Sequence, residues 1–318
     1  MSEMPKDFYV DRKVWITGHR GMLGSAMVRH LKQSGAQLLL PIREQLDLTN
    51  QADVNAWVNS TRPDYIFHIG AKVGGIYANS TMPADFLREN LLMQTNVIHA
   101  AYQNNVKKLI FVASNCTYPK TATQPITEDA LLTGELEEHI RSYAISKIAG
   151  IEMCAAYRRQ FGCDYVSIIP PNLYGPGDNY HPKHSHVVAG ILRRAHEAKI
   201  SSASELVVWG DGSPRRELLH VDDLARAMDY LMHNKSLYGI HNIGCGQDTS
   251  IRELAELVSK VVGFAGRIVY DKTKPNGTMS KLLDSSRINK MGWKPEISLE
   301  VGLRGAYHDF LYNHLREA

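Results

Sequence analysis

The strongest constraint on this chain is a repeated change of hydrophobic period over its first 170 residues. Short apolar runs at 13–17, 37–40, 65–68, 108–113 and 164–169 are rich in Val, Ile, Leu or Phe and lack strict polar alternation, as strands do when both faces of a parallel sheet are covered. Between them, 22–34, 51–61, 83–104 and 141–161 carry apolar residues at helical spacing. Asn104, Asn105 and Gly162 stand where helix stops are expected. Such strand–helix alternation builds an open, doubly wound sheet with right-handed crossovers.

After Asn172 the pattern loosens. Residues 172–186 (NLYGPGDNYHPKHSH) read as a loop crossing the top of the sheet. Helices are predicted at 187–197, 221–232 and 251–262, a returning strand at 240–243, and an α-rich remainder from 250 to 318. The 318 residues suffice for roughly two domains at about 150 each. The expected fold class is therefore α/β: a Rossmann-type doubly wound parallel sheet at 1–174, to which 218–245 returns, and a smaller mixed α/β C-terminal substrate domain from 175–217 and 246–318.

Composition excludes several classes of function. Hydrophobic residues at 44% and charged residues at 22% are ordinary globular values, unlike those of disordered or fibrous chains. Lys plus Arg at 36 against Asp plus Glu at 33 leaves +3, too weak a field to argue for nucleic acid. Cys116, Cys154, Cys163 and Cys245 form no CxxC pair, so neither a disulfide framework nor a zinc cluster is indicated. No run of ~18 apolar residues exists to span a membrane, and the opening stretch lacks the apolar region of a signal peptide. A cytoplasmic protein with reduced thiols is expected.

The first strand runs into Gly18-His19-Arg20-Gly21-Met22-Leu23-Gly24, which opens a helix. Glycines at such a turn let backbone N–H groups approach a pyrophosphate, and the helix N-terminus favours that anion. The Gly-x-x-Gly-x-x-Gly spacing differs from the usual dinucleotide fingerprint, and a turn that only packs helix on strand would show the same residues. NAD binders commonly end the second strand in an acid; here it ends Leu40-Pro41-Ile42-Arg43. Arg43, with Arg20, suits a 2′-phosphate instead, so NADP(H) is the expected cofactor. Downstream, Tyr143 and Lys147 lie four apart on one predicted helix face, where an ammonium can tune a phenol for acid–base work. Ser114 follows a predicted strand, at the end where open α/β sheets gather ligands.

This glycine turn and the Ser/Tyr/Lys set resemble the extended short-chain dehydrogenase/reductases. The longer segments KVGGIYAN (72–79), YAISKIAG (143–150), PNLYGPGDNYHP (171–182), SHV (185–187), WGDGSPRRELLHVDD (209–223) and KLLD (281–284) are similar to those of the GDP-L-fucose synthase family. The resemblance implies an NADPH-dependent epimerase/reductase acting on GDP-4-keto-6-deoxy-D-mannose. It matches Cys116 and His186 to an epimerising acid–base pair, and Ser114, Tyr143 and Lys147 to hydride transfer. It extends the cofactor set to Asp47, Leu48, Pro170, Asn172 and Leu173, joined by Ser114, Lys147 and His186. It assigns the nucleotide sugar to Arg194, Trp209, Arg216 and Asn276, and it implies a homodimer through the helices at 83–104 and 141–161. Asn115, Asn276 and Pro41 depart from residues usual in the family. A relative acting on another GDP-4-keto-deoxysugar, such as a GDP-L-colitose synthase, remains an alternative, whereas Arg43, Cys116 and His186 speak against a UDP-sugar 4-epimerase. His181, His184 and His186 crowd one loop, but Pro182 interrupts them and no Cys or carboxylate stands at metal-like spacing, so no metal is expected.

Overall fold

The computed structural model describes residues 7–182, 184–234, 239–274, 276 and 279–312. The strands are β1 (Lys13–Thr17), β2 (Gln37–Leu39), β3 (Tyr65–His68), β4 (Lys108–Val112), β5 (Tyr165–Ile169), β6 (Asn172–Tyr174), β7 (Glu205–Trp209), β8 (Arg215–His220), β9 (Gly239–Asn242), β10 (Asp248–Ser250) and β11 (Arg267–Asp271). The helices are α1 (Met22–Leu31), α2 (Gln51–Thr61), α3 (Ile76–Thr81), α4 (Pro83–Gln103), α5 (Arg141–Phe161), α6 (Val187–Ile200), α7 (Val221–His233), α8 (Ile251–Val262), α9 (Ser286–Lys290) and α10 (Leu299–Tyr312).

Six parallel strands form the main sheet in the order β2-β1-β3-β4-β5-β9. Each strand feeds its two faces alternately to two cores. Val14, Ile16, Ile110, Val112, Val166 and Ile168 join Met27 and Leu31 of α1 and Leu224, Met228 and Leu231 of α7. Trp15, Ile66, Leu109, Phe111, Tyr165 and Ile169 join Val54 and Val58 of α2, Val97 of α4 and Ile151 of α5. Because both faces are covered, β4 and β5 are buried throughout, which explains their uninterrupted apolar sequences. Register stacks Thr17 beside His68 and His68 beside Phe111 at the carboxyl edge, where the crevice of such a sheet takes its ligand.

The remaining elements surround a third core of Leu192, Ala195, Leu254, Val258 and Leu303, contributed by α6, α8 and α10. Its strands form a β10-β8-β6 sheet and a parallel β11-β7 pair. One expectation needs correction. Residues 172–174, read as loop, are strand β6, because they find a partner in β8, more than forty residues away. The α-rich remainder also holds β11, and β10 ends at its first residue; both owe their strands to distant partners. Strand β8 runs across residues 217 and 218 within the small sheet, while α7 packs on the main sheet and β9 pairs in it.

Candidate functional site

The glycine turn folds as its residues require. Gly18 has φ +67°, and a Cβ there would come 2.7 Å from the Gly70 Cα, so only glycine lets β1 and the loop after β3 approach this closely. Gly21 caps α1 with extended backbone and no side-chain hydrogen bond, leaving the first amides of the helix for an anion. Thr17 Oγ1 accepts from the Ile69 and Gly70 N–H groups at 3.0 and 2.8 Å and meets His68 Nδ1 at 2.9 Å. Burial drives the His68 pKa down to about 3, so this ring is neutral and serves as structure.

A cavity of about 470 Å³ opens over the turn, lined by Gly18, His19, Arg20, Gly21, Arg43, Asp47 and Leu48 among others. Arg43 Nη2 lies 3.6 Å from Asp47; the Thr49 N–H holds the Asp47 carboxyl below its ordinary range. Met22, Leu23 and Gly24 do not line this cavity. Met22 and Leu23 pack into the core, and a Cβ on Gly24 would run into the Gly18 carbonyl. An uncapped helix end, a turn with glycine at positions 18 and 21 and a cavity on the second-strand side fit a dinucleotide. The wall also includes Lys72 and Glu89, paired at 2.5 Å. Sequence reasoning assigned them no role, although the KVGG segment carries the lysine.

At the end of β4, Ser114 caps a short 3₁₀ turn, its Oγ accepting from the Cys116 N–H at 3.4 Å. Cys116 (5% exposed) and Tyr143 (9%) share one apolar cluster with Phe86, Ala78 and Ala144. Helix α5 delivers Tyr143 and, one turn on, Lys147, whose Nζ donates to the Val112 carbonyl at 2.9 Å and sits 5.9 Å from the Tyr143 ring centroid. Desolvation raises the Cys116 and Tyr143 pKa values, Cys116 itself adding to the Tyr143 rise, and lowers Lys147 to about 8. The lowering of the phenol pKa expected from the lysine is therefore not found: burial, then Cys116, shifts Tyr143 the other way. Pro170 accepts from the Asn115 N–H at 3.1 Å, and Asn172 and Leu173 follow on β6, beside this turn.

The remaining predicted residues come from the smaller part of the chain. His186 caps α6; it retains solvent access, yet protein surrounds its ring closely enough for desolvation to lower its pKa. A Cβ on Gly75 would meet the Ser185 and His184 carbonyls at 3.7 and 3.9 Å, so this loop lies against the KVGG segment. Arg194 stands over the half-exposed Trp209 at 5.7 Å, and its Nε is buried with no hydrogen-bond partner. Asn276 Oδ1 accepts from the Asp211 N–H at 2.9 Å, two residues from Trp209. Arg216, its pKa lowered by burial, feels the charge of Glu137. Lys281, from the KLLD segment, reaches the Cys116 turn, which spacing alone did not reveal. Among the described residues there is no group of three or more His, Cys, Asp or Glu that could hold a metal ion, and no helix long and apolar enough to cross a membrane.

The parallel sheet, the glycine turn and the strand-end Ser with its Tyr/Lys helix define an extended short-chain dehydrogenase/reductase, a dinucleotide-dependent class. The chain belongs to the NAD dependent epimerase/dehydratase family, whose model matches residues 14–244. Within that family it groups with the GDP-L-fucose synthases. It is 54% identical to GDP-L-fucose synthase 1 of Arabidopsis thaliana over 95% of this chain and 94% of that one. It is 49% identical to GDP-L-fucose synthase of Escherichia coli K12 over 96% and 98%. A solved structure of a GDP-mannoheptose C4 reductase from Campylobacter jejuni, with NADP bound, superposes with a TM-score of 0.86 at 36% identity, covering 93% of this chain and 97% of that one.

Proposed function

We propose that this enzyme converts GDP-4-keto-6-deoxy-D-mannose to GDP-L-fucose with NADPH, inverting C3 and C5 and then reducing C4. The observation that carries the reading is the Cys116 thiol sharing one buried cluster with the Tyr143 phenol at the end of β4. A plain ketoreductase has no use for a thiol there. The names of the full-length relatives support the same substrate.

The C4 ketone acidifies the protons on C3 and C5. Cys116 removes one of them, and Ser114 and Tyr143 donate hydrogen bonds to the enolate oxygen. His186 returns a proton to the opposite face. When bound, NADPH supplies the hydride for C4. Tyr143, held protonated by burial, gives its proton to O4, and Lys147, largely charged at pH 7 with a pKa of about 8, holds the nicotinamide ribose and steadies the phenolate left behind. Arg20 and Arg43 receive the 2′-phosphate of the cofactor. Arg194, with its unpartnered Nε, and Arg216 clamp the diphosphate, while Trp209 offers its open face to the base or sugar. Cytoplasmic residence and a homodimer through α4 and α5 complete the proposal. The free cysteines support the first, and the exposed Ile145 and Phe161 on α5 support the second.

The test is turnover of GDP-4-keto-6-deoxy-D-mannose with NADPH in heavy water, read by NMR of the product. GDP-L-fucose deuterated at C3 and C5 is expected. Deuterium at C5 alone on a 3-deoxy substrate would favour the colitose-type reading. A C4 alcohol without inversion or deuterium would reduce the enzyme to a ketoreductase. Cys116→Ser and His186→Asn should each abolish exchange, and undiminished exchange in either variant removes that residue from its role.

A further inference from the structure

Lys281 lies 166 residues along the chain from Asn115, yet its Nζ stands 3.5 Å from the Asn115 carbonyl and 3.3 Å from the Tyr118 carbonyl. These two oxygens bracket Cys116, the first belonging to the peptide whose N–H is that of Cys116 itself. The strap carrying the lysine is tied down on both sides. The Ile126 N–H donates to the Leu282 carbonyl and the Asp284 N–H to the Ile126 carbonyl, each at 2.8 Å. The Leu283 N–H donates to the buried Glu217 carboxylate at 2.9 Å. Tyr118 is fixed in turn, its hydroxyl donating to Asn242 Oδ1 at 2.7 Å. Few rotamers remain for a lysine held this way, and its charge is carried into a largely desolvated site.

We propose that Lys281 is the positioning residue of Cys116: its ammonium clasps the carbonyls on both sides of the turn and fixes a positive charge beside the sulfur, favouring thiolate over thiol. The proposal rests on the reading of Cys116 as the epimerising base and deepens it. Cys116 is faced by Lys281, Lys147, Tyr143 and the Ser114 hydroxyl; Lys281 is faced by Cys116, Glu137 and Arg216. Of the two lysines, Lys147 donates to Val112 on the side of the phenol, whereas Lys281 spans the thiol turn alone. The catalytic sulfur and the cation that readies it thus come from distant parts of the sequence, and the base is complete only when the KLLD strap is docked.

The experiment measures the Cys116 thiol directly in the substrate-free enzyme. Iodoacetamide alkylation of the peptide containing Cys116 is followed by mass spectrometry across pH for wild type, Lys281→Gln and Lys281→Arg. Glutamine keeps a donor for the carbonyls and removes the charge; arginine keeps the charge. A cation within 4–6 Å moves an acid by about 1–3 pH units. The alkylation midpoint should therefore rise by about one unit in K281Q, with a roughly tenfold slower rate at pH 7, and return toward wild type in K281R. Coincident midpoints in all three proteins overturn the proposal. The pH profile of C5 proton exchange should move upward with the thiol in K281Q. A thiol midpoint that moves while the exchange profile stays in place upholds the tie to Lys281 and overturns the reading of Cys116 as the base.

Discussion

Lys147→Met should make the protein more stable while destroying its activity. Lys147 is 3% exposed, and burial lowers its pKa from the ordinary 10.5 to about 8. At about 1.4 kcal/mol per pH unit, that depression corresponds to roughly 3 kcal/mol of penalty on the charged form in the folded state. Methionine keeps the length of the stem beneath the Phe111 ring, over which the Nζ now lies at 4.9 Å, and removes the charge. The Val112 carbonyl loses its donor, at a cost of about 1–2 kcal/mol. The net expectation at pH 7 is a gain of about 1–2 kcal/mol, read from urea unfolding midpoints at unchanged m-value. The sign follows from proton binding. Below pH 8 both folded and unfolded lysine are protonated and the penalty is full. Between about 8 and 10.5 the unfolded chain binds more protons, so wild type gains on the variant as pH rises, and above 10.5 the penalty has vanished. Ketone reduction should fall by about a hundredfold or more. A variant less stable than wild type at pH 7, or a stability gap that ignores pH from 8 to 10.5, would refute this account of the lysine.

Gly24→Ala should cost about 3 kcal/mol or more, because the new methyl meets the Gly18 backbone carbonyl rather than a movable side chain; thermal melting checks this, and NADPH fluorescence titration should show weakened binding in whatever folds. Asp229→Asn should cost about 2–4 kcal/mol, since its carboxylate takes Tyr9 at 2.6 Å and His30 at 2.8 Å and lies 3.2 Å from His233. The Asp229 pKa is held well below the carboxylate range by these partners, so its contribution is complete above about pH 4 and fades as acid is added; wild-type and variant unfolding curves should converge there. Arg43→Ser should raise the KM for NADPH by tenfold or more and leave that for NADH nearly unchanged, as steady-state kinetics with each cofactor will show; equal effects on both would remove Arg43 from 2′-phosphate recognition.

Much of the fold could be read before any coordinates. β1, β3 and helices α2, α5 and α8 begin and end where local pattern predicts, because their cores impose a period and Gly162 and Gly263 stop α5 and α8 in the left-handed conformation. The glycine turn was equally plain from its spacing, although the loop after β3, which presses on Gly18 at Gly70, comes from far along the chain. Strands β6, β7, β8, β10 and β11 escaped: most lack the uninterrupted apolar run that marks β1 and β3, and what makes them strands is a partner far along the chain.

By itself the sequence determined the α/β alternation, the glycine turn and the helical i, i+4 spacing of Tyr143 and Lys147, all consequences of local spacing and side-chain chemistry, whereas Cys116 was singled out only by resemblance. Tertiary structure alone decided that Cys116 and Tyr143 share one dry cluster, that burial raises the phenol pKa and lowers that of Lys147, and that Lys281 closes over the Cys116 turn. The physical reason is common to all three: desolvation and through-space charge depend on what lies within a few ångströms, and chain spacing does not encode which distant segment will be there.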